Sequence, residues 1–255
     1  MDHNTFKSYL LQEERCAHIR GWDFSHIRRR YEIDSPPWDY REIVTSYLSP
    51  DDKLLDIDTG GGEFLLSLRH PFANTSATEG YPPNVKLCES TLRPLGIDFR
   101  KSDDPSRLPF ESGVFDIIIN RHGSFDPLEL FRLLKPGGIF ITQQVGAEND
   151  RGLVDLLLPG TELPYPDQYL EKIAQKFAAA GFHLLQQQEA FPAVKFYDAG
   201  ALVWFAHIIE WEFPGFSVDA CFDRLCQAQR ILEKTGAIEA SAHRFLLAAQ
   251  KPTGH

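Results

Sequence analysis

The chain holds only four cysteines, Cys16, Cys88, Cys221 and Cys226, and none belongs to a Cys-x-x-Cys pair. Cys221 and Cys226 have no partner histidine or second cysteine pair nearby, so the zinc signatures are missing. With so few cysteines, free thiols in a reducing cytoplasm are expected. No run reaches the ~18 apolar residues of a membrane span. The N-terminal Met1-Asp2-His3-Asn4 is polar and lacks an apolar signal region, which also points to a cytoplasmic protein. Positive charge is scarce: 26 Lys and Arg stand against 36 Asp and Glu, a net charge of −10. That balance works against broad nucleic-acid binding and leaves room for a local basic groove. Internal repeats and low-complexity tracts are missing too.

What is present is a glycine loop. The run Leu54-Leu55-Asp56-Ile57-Asp58-Thr59-Gly60-Gly61-Gly62-Glu63 is apolar, then acidic, then stripped of side chains, and a helical segment from Glu63 to Leu68 follows. Such a strand–loop–helix unit lets backbone N–H groups approach a ligand at the carboxyl end of a strand. Downstream, strands and helices alternate. Strands are expected at Thr75–Thr78, Ile97–Lys101, Val114–Asn120, Ile139–Val145, Phe182–Glu189 and His243–Gln250. Helices are expected at Val85–Leu92, Pro127–Leu134 and Asp167–Ala180, with turns at Lys135-Pro136-Gly137-Gly138 and at Gly181. The continuous apolar run Val114–Asn120 suits a sheet covered on both faces. The alternation predicts an α/β fold with a doubly wound, mostly parallel sheet.

Two segments fall outside that core. Residues 1–50 are aromatic and partly helical (Trp22, Phe24, Tyr31, Trp38, Tyr40) and read as a cap. Phe191 to Ala240 is far longer than an ordinary connection and carries Phe196, Tyr197, Trp204, Phe205, Trp211, Phe213 and Phe216. The expected division is a cap at 1–50, a cofactor-binding core at 51–190, an insertion at 191–240, and a last core strand with its tail at 241–255.

Taken together, the motifs resemble class I, Rossmann-like S-adenosylmethionine-dependent methyltransferases. The glycine loop is similar to that family's first motif. Glu79 stands where the family has an acid at the end of its second strand. Leu108-Pro109-Phe110 with Val114-Phe115-Asp116, and Leu133-Leu134-Lys135-Pro136-Gly137-Gly138, match two further segments in order. The resemblance covers about residues 50–190 and the last strand. It implies a seven-stranded sheet with an antiparallel last strand, and S-adenosylmethionine as cofactor. A dinucleotide-binding dehydrogenase would instead show G-x-G-x-x-G, and it has no place for the Lys-Pro-Gly-Gly segment.

The resemblance also implies site residues. Glu79, 17 residues beyond Gly62, is placed to accept hydrogen bonds from ribose hydroxyls. Gly80 and Tyr81 follow it, and Tyr81 can pack on the adenine. Asp103 or Asp104 can accept from the adenine amino group, and the spacing to Leu108 favours Asp104. Asp56 organises the loop and the cofactor's amino-acid end, together with Thr59, Gly60 and Gly62. Asp58 departs from the family, which usually has a glycine there. Its charge suits the cofactor's ammonium and opposes its carboxylate.

At the end of the fourth strand, Asn120-Arg121-His122-Gly123-Ser124 brings Asn120 and Arg121 to the cofactor and His122 to the substrate. His122 is the candidate general base, because its ordinary pKa suits neutral pH. Gln143 and Gln144 can add polar contacts. The Phe191–Ala240 insertion is expected to form an apolar lid over the active site.

The acceptor expected from these features is a small, partly apolar molecule. Neither an Asn-Pro-Pro-Tyr motif nor a catalytic cysteine motif is present. The basic cluster His26-Ile27-Arg28-Arg29-Arg30 keeps rRNA or tRNA methylation as an alternative, and Asp58 keeps a non-catalytic cofactor-binding protein as another.

Overall fold

The structure is a computed structural model that describes residues 2–18 and 23–254; Trp22, counted above among the N-terminal aromatics, lies outside them. The chain divides into two compact units. One comprises residues 37–145, 167–189 and 244–255, and the other residues 1–36, 146–166 and 190–243.

The first unit is a seven-stranded sheet with helices. Its strands are β1 (Leu54–Ile57), β2 (Thr75–Glu79), β3 (Asp98–Lys101), β4 (Phe115–Arg121), β5 (Leu134–Val145), β6 (His183–Ala190) and β7 (Arg244–Gln250). The spatial order is β3-β2-β1-β4-β5-β7-β6. β1 runs parallel to β2 and β4, β3 to β2, and β5 to β4, whereas β7 lies antiparallel on β5. Every residue of β1 is buried, as is nearly all of β4, because both occupy the middle of the sheet and are covered on both faces. β6, at the edge, has no fully buried residue. The helices are α1 (Tyr40–Tyr47), α2 (Glu63–Ser67), α3 (Pro82–Thr91), α4 (Pro127–Leu133) and α5 (Leu170–Ala179). Asp126 caps α4 by accepting from the N–H groups of Leu128 and Glu129, with Pro127 in the first turn. Behind the sheet Phe140 stacks on Phe177 at 5.4 Å, flanked by Phe125 and Phe182, so α5 is held by aromatic packing.

One element differs from the sequence expectation. Lys135-Pro136-Gly137-Gly138 reads as a turn, yet β5 already begins at Leu134. Its backbone finds distant partners: Gly137 N–H donates to the Lys251 carbonyl and Lys251 N–H to the Gly138 carbonyl, each at 2.9 Å. Gly137 adopts φ +84° to make this possible. A register shift between Phe115 and Ile117 absorbs the irregularity.

The second unit has its own core. The helix Ala199–Ile208 is buried on nearly every side and packs with His3–Arg15 and Val218–Thr235. Three short antiparallel strands, Tyr31–Ile33, Ala193–Phe196 and Ile238–Ser241, join the N-terminal segment to both ends of the insertion. Phe196, Trp204, Phe205, Phe213 and Phe216 are all buried within this unit, while Tyr197 and Trp211 keep exposed surface.

The basic cluster is partly internal. Arg30 donates to Glu13 at 2.9 Å and to Asp198 at 3.2 Å, and His26 pairs with Glu13 at 2.8 Å while stacking on Trp204. Tyr9 donates its hydroxyl to Asp198 at 2.8 Å. The four cysteines are free thiols. Among the described residues no helix is long and apolar enough to cross a membrane, and no His, Cys, Asp and Glu group has the geometry of a metal site.

Candidate cofactor site

The glycine loop leaves β1 at Ile57 and enters α2 at Glu63. Asp56, fully enclosed, accepts the Thr59 hydroxyl at 2.6 Å, and Thr59 N–H donates to the Thr78 carbonyl of β2. Gly60 (φ +64°) turns its N–H onto the Glu79 carboxylate at 2.8 Å. Gly62 (φ +84°) caps α2, and a Cβ there would fall 2.8 Å from the Leu92 side chain. These two positions therefore need glycine, one for its backbone angle and the other also for space.

Glu79 is the hub. It also accepts from the N–H groups of Gly80 and Tyr81, both at 2.9 Å, and from the Asn84 amide at 3.3 Å. Four donors occupy the roughly four acceptor positions of a carboxylate. The Asn84 contact is the longest and the easiest to exchange.

Asp58 takes φ +54°, the left-handed conformation that aspartate tolerates better than most side chains. Its Oδ2 accepts the Ser124 N–H at 3.1 Å, tying the loop after β1 to the loop after β4. Gly123 makes this approach possible, since a Cβ there would lie 2.6 Å from Asp58.

A cavity of about 320 Å³ opens at the carboxyl ends of β1, β2 and β3. Of the expected site residues, the structure gathers Asp58, Glu79, Gly80, Tyr81, Asp103 and Asp104 around it. It sets Asp56, Thr59, Gly60 and Gly62 in the adjoining loop. Gly80 is a close-approach position: a Cβ there would come 2.8 Å from the Ser102 carbonyl and 2.9 Å from Asp103 Cα. Asp104 is engaged by the Ser106 N–H and hydroxyl, whereas Asp103 makes no hydrogen bond among the described residues. Ile57, Ser102, Pro105, Leu108 and Ser124 complete the wall. Of these, Ile57, Leu108 and Ser124 lie in runs that the sequence singles out; Ser102 and Pro105 carry no signal beyond adjacency to one. A larger cavity of about 440 Å³ in the second unit borders Tyr9 and Asp198, whose polar groups already serve the Arg30 network.

The remaining expected residues sit at the ends of β4 and β5, outside the cavity wall. Asn120 is fully buried: its amide donates to the Ile57 carbonyl and its oxygen accepts from Gln144, so it ties β1 to β5. Gln144 is also consumed by Thr142 and the Gly123 carbonyl. Arg121 lies over the Phe64 ring at 4.8 Å, and Phe64 in turn packs on Tyr40. Tyr40 donates to the carbonyls of Asn120 and Ile141, holding α1 against the sheet.

Gln143 links two rings. The Trp38 indole N–H donates to Gln143 Oε1 at 2.8 Å, and Gln143 Nε2 faces His122 Nε2 at 3.3 Å. Indole is a donor only, so it fixes which end of the amide it meets. The NH₂ end then faces His122, whose Nε2 must be the bare acceptor, and Nδ1 carries the hydrogen. By sequence Trp38 and Tyr40 group with the N-terminal aromatics, and no local signal connects them to residues about a hundred positions away.

Electrostatics follow from this crowding. Burial pushes the Asp56 carboxyl up to about 7; the Thr59 hydroxyl and Arg121 oppose the shift, and the charges of Asp58 and Glu79 add to it. Burial, then Glu79, raises Asp58 to about 6 against the pull of the Ser124 N–H. Desolvation, then the charges of Arg244 and Arg121, pushes His122 down to about 3. The His122 ring reaches solvent, and its imidazole is neutral at neutral pH.

Residues 55–142 match the family described as a methyltransferase domain. No curated protein matches the chain. Among solved structures, a putative methyltransferase from Bacillus halodurans is similar, with 17% identity and a TM-score of 0.56, covering 84% of this chain and 99% of its own. The YcgJ protein of Bacillus subtilis matches with 16% identity, a TM-score of 0.56 and the same coverage. The [4+2]-cyclase SpnF matches with 20% identity and a TM-score of 0.53, covering 84% of this chain and 81% of its own. At these identities the structures speak for the fold alone.

Fold and motif together define a class I, Rossmann-like methyltransferase. Residues 55–142 are matched as a methyltransferase domain, and S-adenosylmethionine is the cofactor which that domain implies. The residues of the cavity suit that molecule: carboxylate acceptors stand where hydroxyl, amino and ammonium donors would need them, and Gly80 lets the loops after β2 and β3 pack closely behind them.

Proposed function

We propose that the chain transfers a methyl group from S-adenosylmethionine to a small, partly apolar acceptor. The observation that carries this reading is the β4–β5 edge, where Arg121 on the Phe64 face stands with the Trp38–Gln143–His122 chain. That edge mixes aromatic surface with a few polar groups on the scale of a small molecule. RNA as substrate loses support because Arg30 and His26 of the basic cluster are committed to Glu13 and Asp198.

When bound, the cofactor supplies an electrophilic methyl group on a sulfonium. The chain's residues then have to hold, orient and keep water away. Glu79, exchanging its Asn84 contact, is proposed to take the ribose hydroxyls. Asp103, with its free carboxylate, is proposed for the adenine amino group in preference to Asp104, and Tyr81 for the adenine face. His122, neutral and with its bare nitrogen turned to Gln143, is proposed as a hydrogen-bond donor through Nδ1 that orients the acceptor, rather than as a base.

The test is turnover of S-adenosylmethionine to S-adenosylhomocysteine against a panel of small aromatic and aliphatic acceptors, beside tRNA and rRNA transcripts. Turnover with a small acceptor and none with RNA is expected. Methyl incorporation into RNA alone would overturn the reading.

A further inference from the structure

We propose that the cofactor cavity separates the sulfonium cofactor from its demethylated thioether by charge, and that Asp58 is the residue that sets this discrimination. The proposal rests on the cofactor assignment above and goes beyond it, since binding the nucleoside does not require telling the two apart.

Four carboxylates line the cavity, from Asp58, Glu79, Asp103 and Asp104, and among the described residues no lysine, arginine or histidine does. The nearest cations act elsewhere: Arg107 on Asp104 from outside the wall, and Arg121 on the buried Asp56. Glu79 is already engaged by three backbone N–H groups and an amide. Asp104 is held by Ser106. Asp58 is different. One oxygen accepts from Ser124 N–H, and the other has no hydrogen-bond partner among the described residues. A half-enclosed carboxylate with an oxygen uncommitted to the fold can turn that oxygen to a cation in the cavity.

S-adenosylmethionine carries one more positive charge than S-adenosylhomocysteine, and the two are otherwise nearly the same size. A wall that is only negative therefore favours the first over the second by Coulomb attraction. The consequence is directional: substrate cofactor is held and spent cofactor is released, which limits product inhibition. The glycine usual at this position would leave three carboxylates, of which Glu79 and Asp104 are already hydrogen-bonded within the fold.

Isothermal titration of the full chain with S-adenosylmethionine and with S-adenosylhomocysteine decides the matter. The wild type is expected to prefer the sulfonium about tenfold at low salt. Asp58→Asn keeps an acceptor for Ser124 and removes the charge, so the ratio is expected to fall toward one. Added salt should compress the wild-type ratio more than the variant's. Asp103→Asn, at an exposed turn that tolerates the change, should lower the ratio by a smaller factor and serves if Asp58→Asn fails to fold. Equal wild-type affinities, or a ratio untouched by both variants, would overturn the charge proposal while leaving the cofactor assignment standing. Absence of binding by either nucleoside would overturn both.

Discussion

The two units of this chain use their polar residues in opposite ways. In the second unit the interior charges are closed upon one another: Arg30 with Glu13 and Asp198, His26 with Glu13, Tyr9 with Asp198. In the sheet unit Asp58 keeps one oxygen idle, Asp103 makes no hydrogen bond among the described residues, and both line a cavity. A rich cluster of charges is thus not in itself a site. Satisfied charge fixes architecture, and unsatisfied charge beside a void waits for a ligand.

The sharpest way to break that contrast is to fill one glycine in each unit. Gly80→Ala would drive a Cβ against the backbone of Ser102 and Asp103, which cannot yield as a side chain would. A displacement of the cavity wall on this scale is expected to weaken S-adenosylmethionine binding about a hundredfold. Gly200→Ala in the second unit would drive a Cβ into Tyr9 and Glu13. It should cost about 2 kcal/mol of stability by overpacking while leaving cofactor affinity within about threefold. Calorimetric titration and urea denaturation on both variants measure the pair. If Gly200→Ala abolished cofactor binding as thoroughly as Gly80→Ala, the division of labour would be wrong.

Arg30→Ala probes the closed network directly. It leaves Glu13 and Asp198 partly buried without their shared cation, at an expected cost of about 2 kcal/mol. RNA affinity at low salt, measured by filter binding, should be unchanged from a negligible wild-type level. A large drop in RNA binding would revive the basic cluster as a nucleic-acid surface.

The same contrast explains what the sequence disclosed. The core motifs were legible because each answers a local demand: glycine where φ is positive at Gly60 and Gly62, continuous apolar residues where β4 is covered on both faces. Features that depend on distant partners were not. Lys135-Pro136-Gly137-Gly138 looks like a turn until Lys251 arrives to pair with it. The three-stranded sheet joins Tyr31–Ile33 to Ala193–Phe196, and neither segment carries a strong strand pattern by itself. The insertion's aromatics read as lid material, and that Phe196, Trp204 and Phe205 form the core of their own unit depends on partners far along the chain. Asp58 was visible as a departure, but its bond to Ser124, and the room that Gly123 gives it, come from the adjacency of two loops 66 residues apart.

Acidity gives a smaller effect. The carboxyl groups of Asp56 and Asp58 lie near 7 and 6 in the fold against an ordinary 3.8. Between about pH 4 and those values the folded state holds more protons than the unfolded one, so these groups make stability fall as pH rises through that window. Asp58→Asn removes its part. The variant should be more stable than wild type by about 1 kcal/mol at pH 8, and the gain should vanish near pH 4. Thermal melts of both proteins across that range measure it. A constant difference at every pH would mean that the Asp58 charge is not what the fold resists.

The smallest effect on stability, and the most specific, concerns His122. Its imidazole is held neutral, with Nε2 turned to the Gln143 amide and Nδ1 carrying the hydrogen, because the Trp38 indole fixes the amide's direction. Gln143→Glu replaces the NH₂ end by a carboxylate, which can only accept. His122 must then place its hydrogen on Nε2, and its pKa should rise toward the ordinary range because an anion now favours the charged ring. Nitrogen-15 shifts of the imidazole should report the change of tautomer, and the melting temperature should move little at this solvent-reaching position. Trp38→Phe should blur the wild-type tautomer without raising the pKa, since it frees the amide to turn but adds no charge. If His122 already carried its hydrogen on Nε2 in the wild type, it would regain a bare Nδ1 and with it the role of a base.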